Sequence, residues 1–294
     1  MVSEKILSGL PVAQAINEST RLKITLGDFT PNLAVLFLGE NADDLSYRVQ
    51  LKKSADLLGV TIAEIALPAD VTAAKLRKEI QAINADHSIH GVLIQTIRDA
   101  KLREVVLHTL HIDKDAEGIL AHNFQDLEYG TADIVPCTAG AVRSLILAAH
   151  KPEELQGKEA VIINSSPVIG IPLFLMLQQL GMTTTTCNRY TKDLATYTKR
   201  ADLIVTATGK RGIITAESLG DKMPSIFDVS IIRENGHIVG DVIHSDELFE
   251  KVHCVTPVPG GVGPVTVATL LAQCVHLCEK FKGKVREHRH HEAV

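Results

Sequence analysis

Residues 160–187 read AVIINSSPVIGIPLFLMLQQLGMTTTTC, and this stretch decides the fold. AVIIN (160–164) is a short apolar, β-branched run of the kind that fills a strand buried on both faces. A polar turn follows, and then VIGIPLFLMLQQLG (168–181), a longer apolar segment of helical character. TTTTC (183–187) is β-branched again. Strand, helix and strand in this order make a βαβ unit, in which the two strands lie parallel.

The pattern extends in both directions. Downstream, DLIVTAT (202–208), PSIFDVS (224–230) and HCVTPV (253–258) read as further strands. Upstream, LAVLFLG (33–39), VTIAEIAL (60–67) and HGVLIQT (90–96) are separated by helical stretches at 43–58 and 72–86. The class is α/β, with two βαβ domains, the second a Rossmann-like doubly wound parallel sheet. The segment 113–140, DKDAEGILAHNFQDLEYGTADIVPCTAG, reads as a connection because of its Gly, Pro, Asp and Asn content. The expected division is 1–120 for the first domain and 121–263 for the second. A closing amphipathic helix carries Val267, Leu271, Cys274, Cys278 and Phe281 at helical spacing, with Pro264 near its start and Gly283 past its end, and spans 264–283.

Composition narrows the partners. The 294 residues are 45% hydrophobic and 22% charged, which suits a globular protein with a sizeable core. A formal charge of −5 gives no reason to expect nucleic acid or an anionic membrane as partner. No stretch reaches about 18 consecutive apolar residues, and the opening MVSEKILSGLPVAQAI lacks a signal-length apolar run. Five cysteines without a Cys-x-x-Cys pair argue against a disulfide framework or structural zinc, and a cytoplasmic location is expected. His288, His290 and His291 cluster in the tail 284–294, which reads as a polar terminus rather than a metal site.

The turn after the first quoted strand is where a doubly wound sheet binds a dinucleotide pyrophosphate, on the N–H groups and positive dipole of a helix N-terminus. The candidates there are Asn164, Ser165, Ser166, Val168 and Gly170. Asn164 stands at the first position of the turn, where asparagine tolerates positive φ. The same turn occurs in α/β proteins that bind no nucleotide. Arg189 and Lys192, after the next strand, lie where a ribose 2′-phosphate would be, with no acidic residue on that strand's last turn. This favours NADP, with NAD possible; the other reading is a pair of exposed loop cations. Residues 257–264, PVPGGVGP, crowd proline and glycine into a fixed backbone path that suits close approach to a ligand.

PGGVGPVT (259–266) resembles the signature of the methylenetetrahydrofolate dehydrogenase/cyclohydrolase family. It stands in order with PNLAVLFLGE (31–40), SYRVQLKKSADLLGV (46–60), GVLIQT (91–96), DKDAEG (113–118), VPCTAGAV (135–142), NRYTKDL (188–194) and GDV (240–242). The resemblance runs from about Pro31 to Leu277. It implies a folate-binding catalytic domain completed by the C-terminal helix, a dinucleotide domain, a cleft where they meet, and a homodimer. The implied reaction oxidises 5,10-methylenetetrahydrofolate to the methenyl form with a nicotinamide cofactor, followed in many members by hydrolysis. By the same resemblance Tyr47, Gln95, Glu117, Pro259, Gly260 and Gly261 bind substrate, and Thr208, Gly209 and Ser230 bind cofactor.

The chain departs from the family pattern at five places. The family places a lysine, the general acid/base of hydrolysis, four residues after the tyrosine; here Tyr47 is followed by Leu51. Lys52 and Lys53 are the nearest replacements, although at about 100° per residue they stand roughly 140° and 120° from Tyr47 around a helix. TIRD (96–99) replaces a proline-containing stretch after Gln95 and puts Arg98 near the cleft, and Glu117 stands for an aspartate. Ala139 follows Cys137 and Thr138 where the family has proline, and Ser230 replaces a glycine. Hydride loss needs no protein base, because the substrate's nitrogen lone pairs drive it. Hydrolysis needs a group of suitable pKa within reach. The expectation is therefore a dehydrogenase with weak or lost cyclohydrolase activity unless Lys52 or Arg98 substitutes. The alternatives are an impaired binding or regulatory paralogue, or an enzyme of the same fold on another substrate.

Overall fold

A computed structural model describes residues 2–40, 42–95 and 97–291. The chain forms two compact units. One comprises Ala15–Gln125 with the chain from Val267 onward; the other comprises the residues up to Gln14 with Asp126–Thr266.

The first unit is built on a three-stranded parallel sheet, β1 (Asn32–Leu38), β2 (Thr61–Leu67) and β3 (Gly91–Ile94), in the order β2-β1-β3. The central strand has five consecutive buried residues, whereas the edge strand β2 is exposed or half-buried up to Leu67, as expected for a strand covered on both faces and one on an edge. The helix Ala73–Ala85 starts on Thr72, whose hydroxyl accepts the Lys75 N–H, and buries Leu76, Ile80 and Ile83 at i, i+4 and i+7. These side chains join Ala34, Leu36, Val92 and Ile94 in one core. Asp99 caps the helix Ala100–Thr109. Arg98 has its side chain exposed in the stretch leading to that cap.

The second unit carries β4 (Glu159–Ile163), β5 (Thr183–Cys187), β6 (Leu203–Thr206) and β7 (Ser225–Asp228). A hairpin, β8 (Ile232–Glu234) and β9 (His237–Val239), turns on Asn235 and Gly236, both with positive φ, as two-residue hairpin loops require. With β10 (Cys254–Val255) the main sheet is fully parallel, ordered β10-β7-β6-β4-β5. The eight strands read from the sequence are all present, within a few residues at their ends.

Three boundaries differ from expectation. The first fourteen residues belong to the five-stranded unit, because Ile6 bridges Val255 in parallel, Lys5 Nζ donates to the Phe249 carbonyl and the Gly9 N–H donates to the Gly260 carbonyl. The connection 113–140 contains two helices, Ala121–Tyr129 and Cys137–Ala149; the second buries Val142, Leu145 and Ile146. The last helix, Val262–His291, runs through Gly283. A single glycine costs a helix only about 1 kcal/mol, and Lys284, Arg286 and Glu287 after it are good helix formers. The side chains of His288, His290 and His291 lie outside the described ones. Val262–Gly283 is long and apolar enough to cross a membrane, but most of it is buried in the protein, Leu271, Cys274 and Val275 completely.

Candidate active site

In an open parallel sheet a ligand sits outside the carboxyl ends of the strands, at the point where successive connections leave in opposite directions. Each unit has one such point, between β4 and β6 in the five-stranded sheet and between β1 and β3 in the three-stranded one.

Asn164, directly after β4, spans the first. Its Nδ2 donates to the Ala207 carbonyl at 2.7 Å, across the gap to the end of β6. Its Oδ1 accepts the N–H groups of Ser166 and Gly170 at 2.8 and 3.1 Å. Asn164 was expected to serve through positive φ; its φ is not positive, and its side-chain amide shapes the turn instead. A Cβ on Gly170 would stand 2.2 Å from the Asn164 carbonyl oxygen, so only glycine lets the helix Gly170–Gln179 start this close to the strand. Ser166 Oγ accepts the Ile169 N–H. Among the described residues, the amides of Ser165 and Val168 take no protein partner.

Beside this turn lies a cavity of about 760 Å³. It is lined by Asn164, Ser165 and Ser166, by Asn188, Arg189, Tyr190 and Thr191 after β5, and by Thr208 and Lys210 after β6. Two cations and no carboxylate stand on its walls, which suits a polyanion. Asn188 fixes the β5 end: its Oδ1 accepts the Tyr190 N–H, and its own N–H goes to Thr191 Oγ1. Arg189 lies over the Tyr190 ring, 4.8 Å from the centroid, and donates to the Tyr190 hydroxyl at 2.7 Å. Lys192, expected beside Arg189, is exposed and is not on the cavity wall. Val168 is also exposed and off the wall, at 45%.

The loop after β6 is held from below by Asp241, which is completely buried. Its carboxylate accepts Thr206 Oγ1, Thr208 Oγ1 and the N–H groups of Thr208 and Lys210, all between 2.6 and 2.8 Å. Asp228 repeats the device, taking the N–H groups of Val242 and Ser230; burial pushes its carboxyl up to about 6. Ser230 accepts the Gly209 N–H at 3.0 Å, and Gly209 has φ +68°. The 257–261 loop has a cis Val258–Pro259 bond and φ +99° at Gly260; a Cβ on Gly261 would stand 2.5 Å from the Pro257 carbonyl oxygen. Gly260 and Gly261 are thus brought against Gly9 of the N-terminal segment.

The second switch point is ionic and buried. Leu51, Ala55 and Leu58 form the inner stripe of the helix Ala42–Leu58, and Arg48 stands on the same stripe at 4% exposure. The Arg48 guanidinium lies 3.7 Å from the Phe37 ring centroid and donates to Gln95 Oε1 at 2.7 Å. Glu117 Oε2 accepts the Ile94 N–H at 2.7 Å, at the carboxyl end of β3. Burial, reinforced by Asp115, pushes the Glu117 carboxyl up to about 8. Tyr47 is half-buried one position before Arg48. Lys52, expected as the replacement acid/base, is on the exposed face, and the cation that reaches Gln95 is Arg48. Sequence reading missed Arg48, Lys210, Tyr190 and Asp241.

Sequence profiles of the tetrahydrofolate dehydrogenase/cyclohydrolase catalytic domain and of its NAD(P)-binding domain match residues 7–117 and 136–282. The chain belongs to this family. A relative described as bifunctional protein FolD, from Methanococcoides burtonii, is 35% identical over 94% of this chain and 97% of its own length. The crystal structure of the bifunctional FolD methylenetetrahydrofolate dehydrogenase/cyclohydrolase of Campylobacter jejuni is 32% identical with a TM-score of 0.87, over 94% of this chain and 98% of that one. The FolD dehydrogenase-cyclohydrolase of Trypanosoma brucei, solved with NADP and an inhibitor, is 28% identical with a TM-score of 0.87, over 96% of this chain and 98% of that one. Within the family, the two polar clusters described above fall one in each matched domain.

Proposed function

We propose that this chain oxidises 5,10-methylenetetrahydrofolate to 5,10-methenyltetrahydrofolate with NADP, and that hydrolysis of the product is weak or lost. The observation that carries this reading is the cavity at the β4/β6 switch point, with Arg189 and Lys210 on its wall and no carboxylate. Such a wall fits a phosphorylated dinucleotide: Ser165, Ser166 and Thr208 offer donors near the turn, and Arg189 stands at the end of the second strand, where a 2′-phosphate belongs. Bound there, NADP would supply the hydride acceptor.

In the other unit, Tyr47, Gln95 and Glu117 would bind and orient the folate. A Glu117 carboxyl with its pKa near 8 is mostly neutral at pH 7, so it offers a donor as well as an acceptor. Hydrolysis lacks its proton carrier. Leu51 is apolar and 1% exposed, and Lys52 faces solvent. A homodimer in the cytoplasm belongs to the same reading, and sedimentation of the purified chain checks the dimer.

The test mixes purified protein with methylenetetrahydrofolate and either NADP or NAD, and follows reduced cofactor by absorbance. Faster reduction of NADP is expected. Absence of signal with both cofactors, together with retained folate binding, would replace this reading by that of a binding paralogue. Leu51→Lys should raise methenyl hydrolysis above the rate in buffer.

A further inference from the structure

In an extended chain, neighbouring side chains point to opposite sides. Arg189 and Tyr190, which follow β5, meet instead: the Arg189 guanidinium donates to the Tyr190 hydroxyl at 2.7 Å and lies 4.8 Å from the centre of the tyrosine ring. A closed turn over 188–191 brings them together. The Thr191 N–H donates to the Asn188 carbonyl at 2.9 Å, the Asn188 N–H donates to Thr191 Oγ1, and Asn188 Oδ1 accepts the Tyr190 N–H. Arg189 and Tyr190 are the two central residues of this turn, and both line the cavity at the β4/β6 switch point.

Tyr190 is 75% exposed, so burial of its ring explains little of its presence there. Its hydroxyl has a specific chemistry. A phenol carries one O–H donor beside its acceptor lone pairs. Arg189 takes up a lone pair, which leaves the hydrogen for an acceptor elsewhere, and accepting from a cation polarises that O–H and strengthens it as a donor. The same contact holds one rotamer of a long, flexible arginine, which lowers the entropy lost when the arginine binds a ligand. Cation and phenol thus present donors from one rigid turn, on a wall that carries no carboxylate. A site for the free ribose of NAD would place a carboxylate there to accept from the 2′-hydroxyl.

We infer that Tyr190 is a specificity-determining residue of the cofactor site: with Arg189 it forms a two-point clamp for a phosphate monoester, the 2′-phosphate of NADP. The guanidinium supplies charge and N–H donors, and the phenol O–H supplies the second point. The inference rests on the NADP reading above and deepens it, because discrimination against NAD then depends on a neutral hydroxyl as well as on a cation.

The test compares the whole wild-type protein with Tyr190→Phe, titrating each by calorimetry with adenosine 2′,5′-bisphosphate and with 5′-AMP, and measuring kcat and KM for NADP and NAD. The wild type should bind the bisphosphate more tightly than 5′-AMP. Tyr190→Phe keeps the ring beside the guanidinium and removes only the O–H. It should cut the ratio of the two affinities about tenfold, the worth of one hydrogen bond to a charged group, and raise KM for NADP more than it lowers kcat. An unchanged ratio in Tyr190→Phe would overturn the inference and leave Arg189 without a second point. Equal weakening of both ligands would overturn it too. A wild type that binds the two ligands alike would sink the NADP reading and the clamp with it. A wild type that discriminates between them but oxidises no folate would sink the dehydrogenase reading alone, and the ratio in Tyr190→Phe would still decide the clamp.

Discussion

The two switch points share a topology and differ in how they are built. Between β4 and β6 the scaffold is a set of hydrogen bonds from Asn164 and from the buried carboxylates Asp241 and Asp228, and the ligand-facing groups Arg189, Lys210 and Tyr190 are exposed. Between β1 and β3 Arg48 and Gln95 are buried and hydrogen-bonded to each other, and the half-buried Glu117 holds the backbone N–H of Ile94. A site for a large, highly charged cofactor leaves its cations in water, where long-range attraction costs no desolvation. A site that must set the geometry of one reacting carbon takes its polar groups out of water, where each hydrogen bond is stronger and each change is felt more.

The comparison is broken most severely by removing the carboxylate under the cofactor loop. Asp241→Ala strands two backbone N–H groups and two hydroxyls, and should cost about 3 kcal/mol or more in a denaturant titration. Gly170→Ala pushes a methyl into the Asn164 carbonyl; overpacking of this kind costs about 1–3 kcal/mol, and NADP binding should fall with it, read by melting temperature and cofactor titration. Arg189→Ala should weaken NADP by about 10- to 100-fold, the worth of a charge-assisted hydrogen bond, and leave NAD unchanged in the same assay. A separate effect concerns Glu117. The folded protein holds its proton up to about pH 8, whereas an unperturbed glutamate releases it near 4.5, so between those values the unfolded chain binds fewer protons. Stability from this group is therefore fully present below 4.5, falls as pH rises through that window and levels off above it; Glu117→Gln should lose that slope in melting curves taken from pH 5 to 9.

The two parallel sheets were legible because their strands are short apolar, β-branched runs with turn residues at their flanks, whereas the hairpin β8–β9, three residues a side, was not. The helices at 121–129 and 137–149 were hidden by Gly, Pro and Asp that cap and separate them rather than unwind them. The same holds for Gly283, a residue type that favours helix ends but does not enforce them. At the cofactor site the turn residues were readable from the strand before them, whereas Lys210 required knowing that the end of β6 faces the same cavity as the end of β5. Arg48 was missed because a charged residue on a helix reads as solvent-facing. Its register with Leu51, Ala55 and Leu58, at i+3, i+7 and i+10, was the signal that it lies on the buried stripe.

The central claim, that the hydride step survives without the hydrolytic one, is tested most directly by a time course with limiting methylenetetrahydrofolate and excess NADP, recording reduced cofactor and methenyl product together. The account predicts one-for-one appearance of the two, followed by decay of the methenyl form at its rate in buffer alone. Decay faster than in buffer, or no reduced cofactor with either nicotinamide, would contradict it.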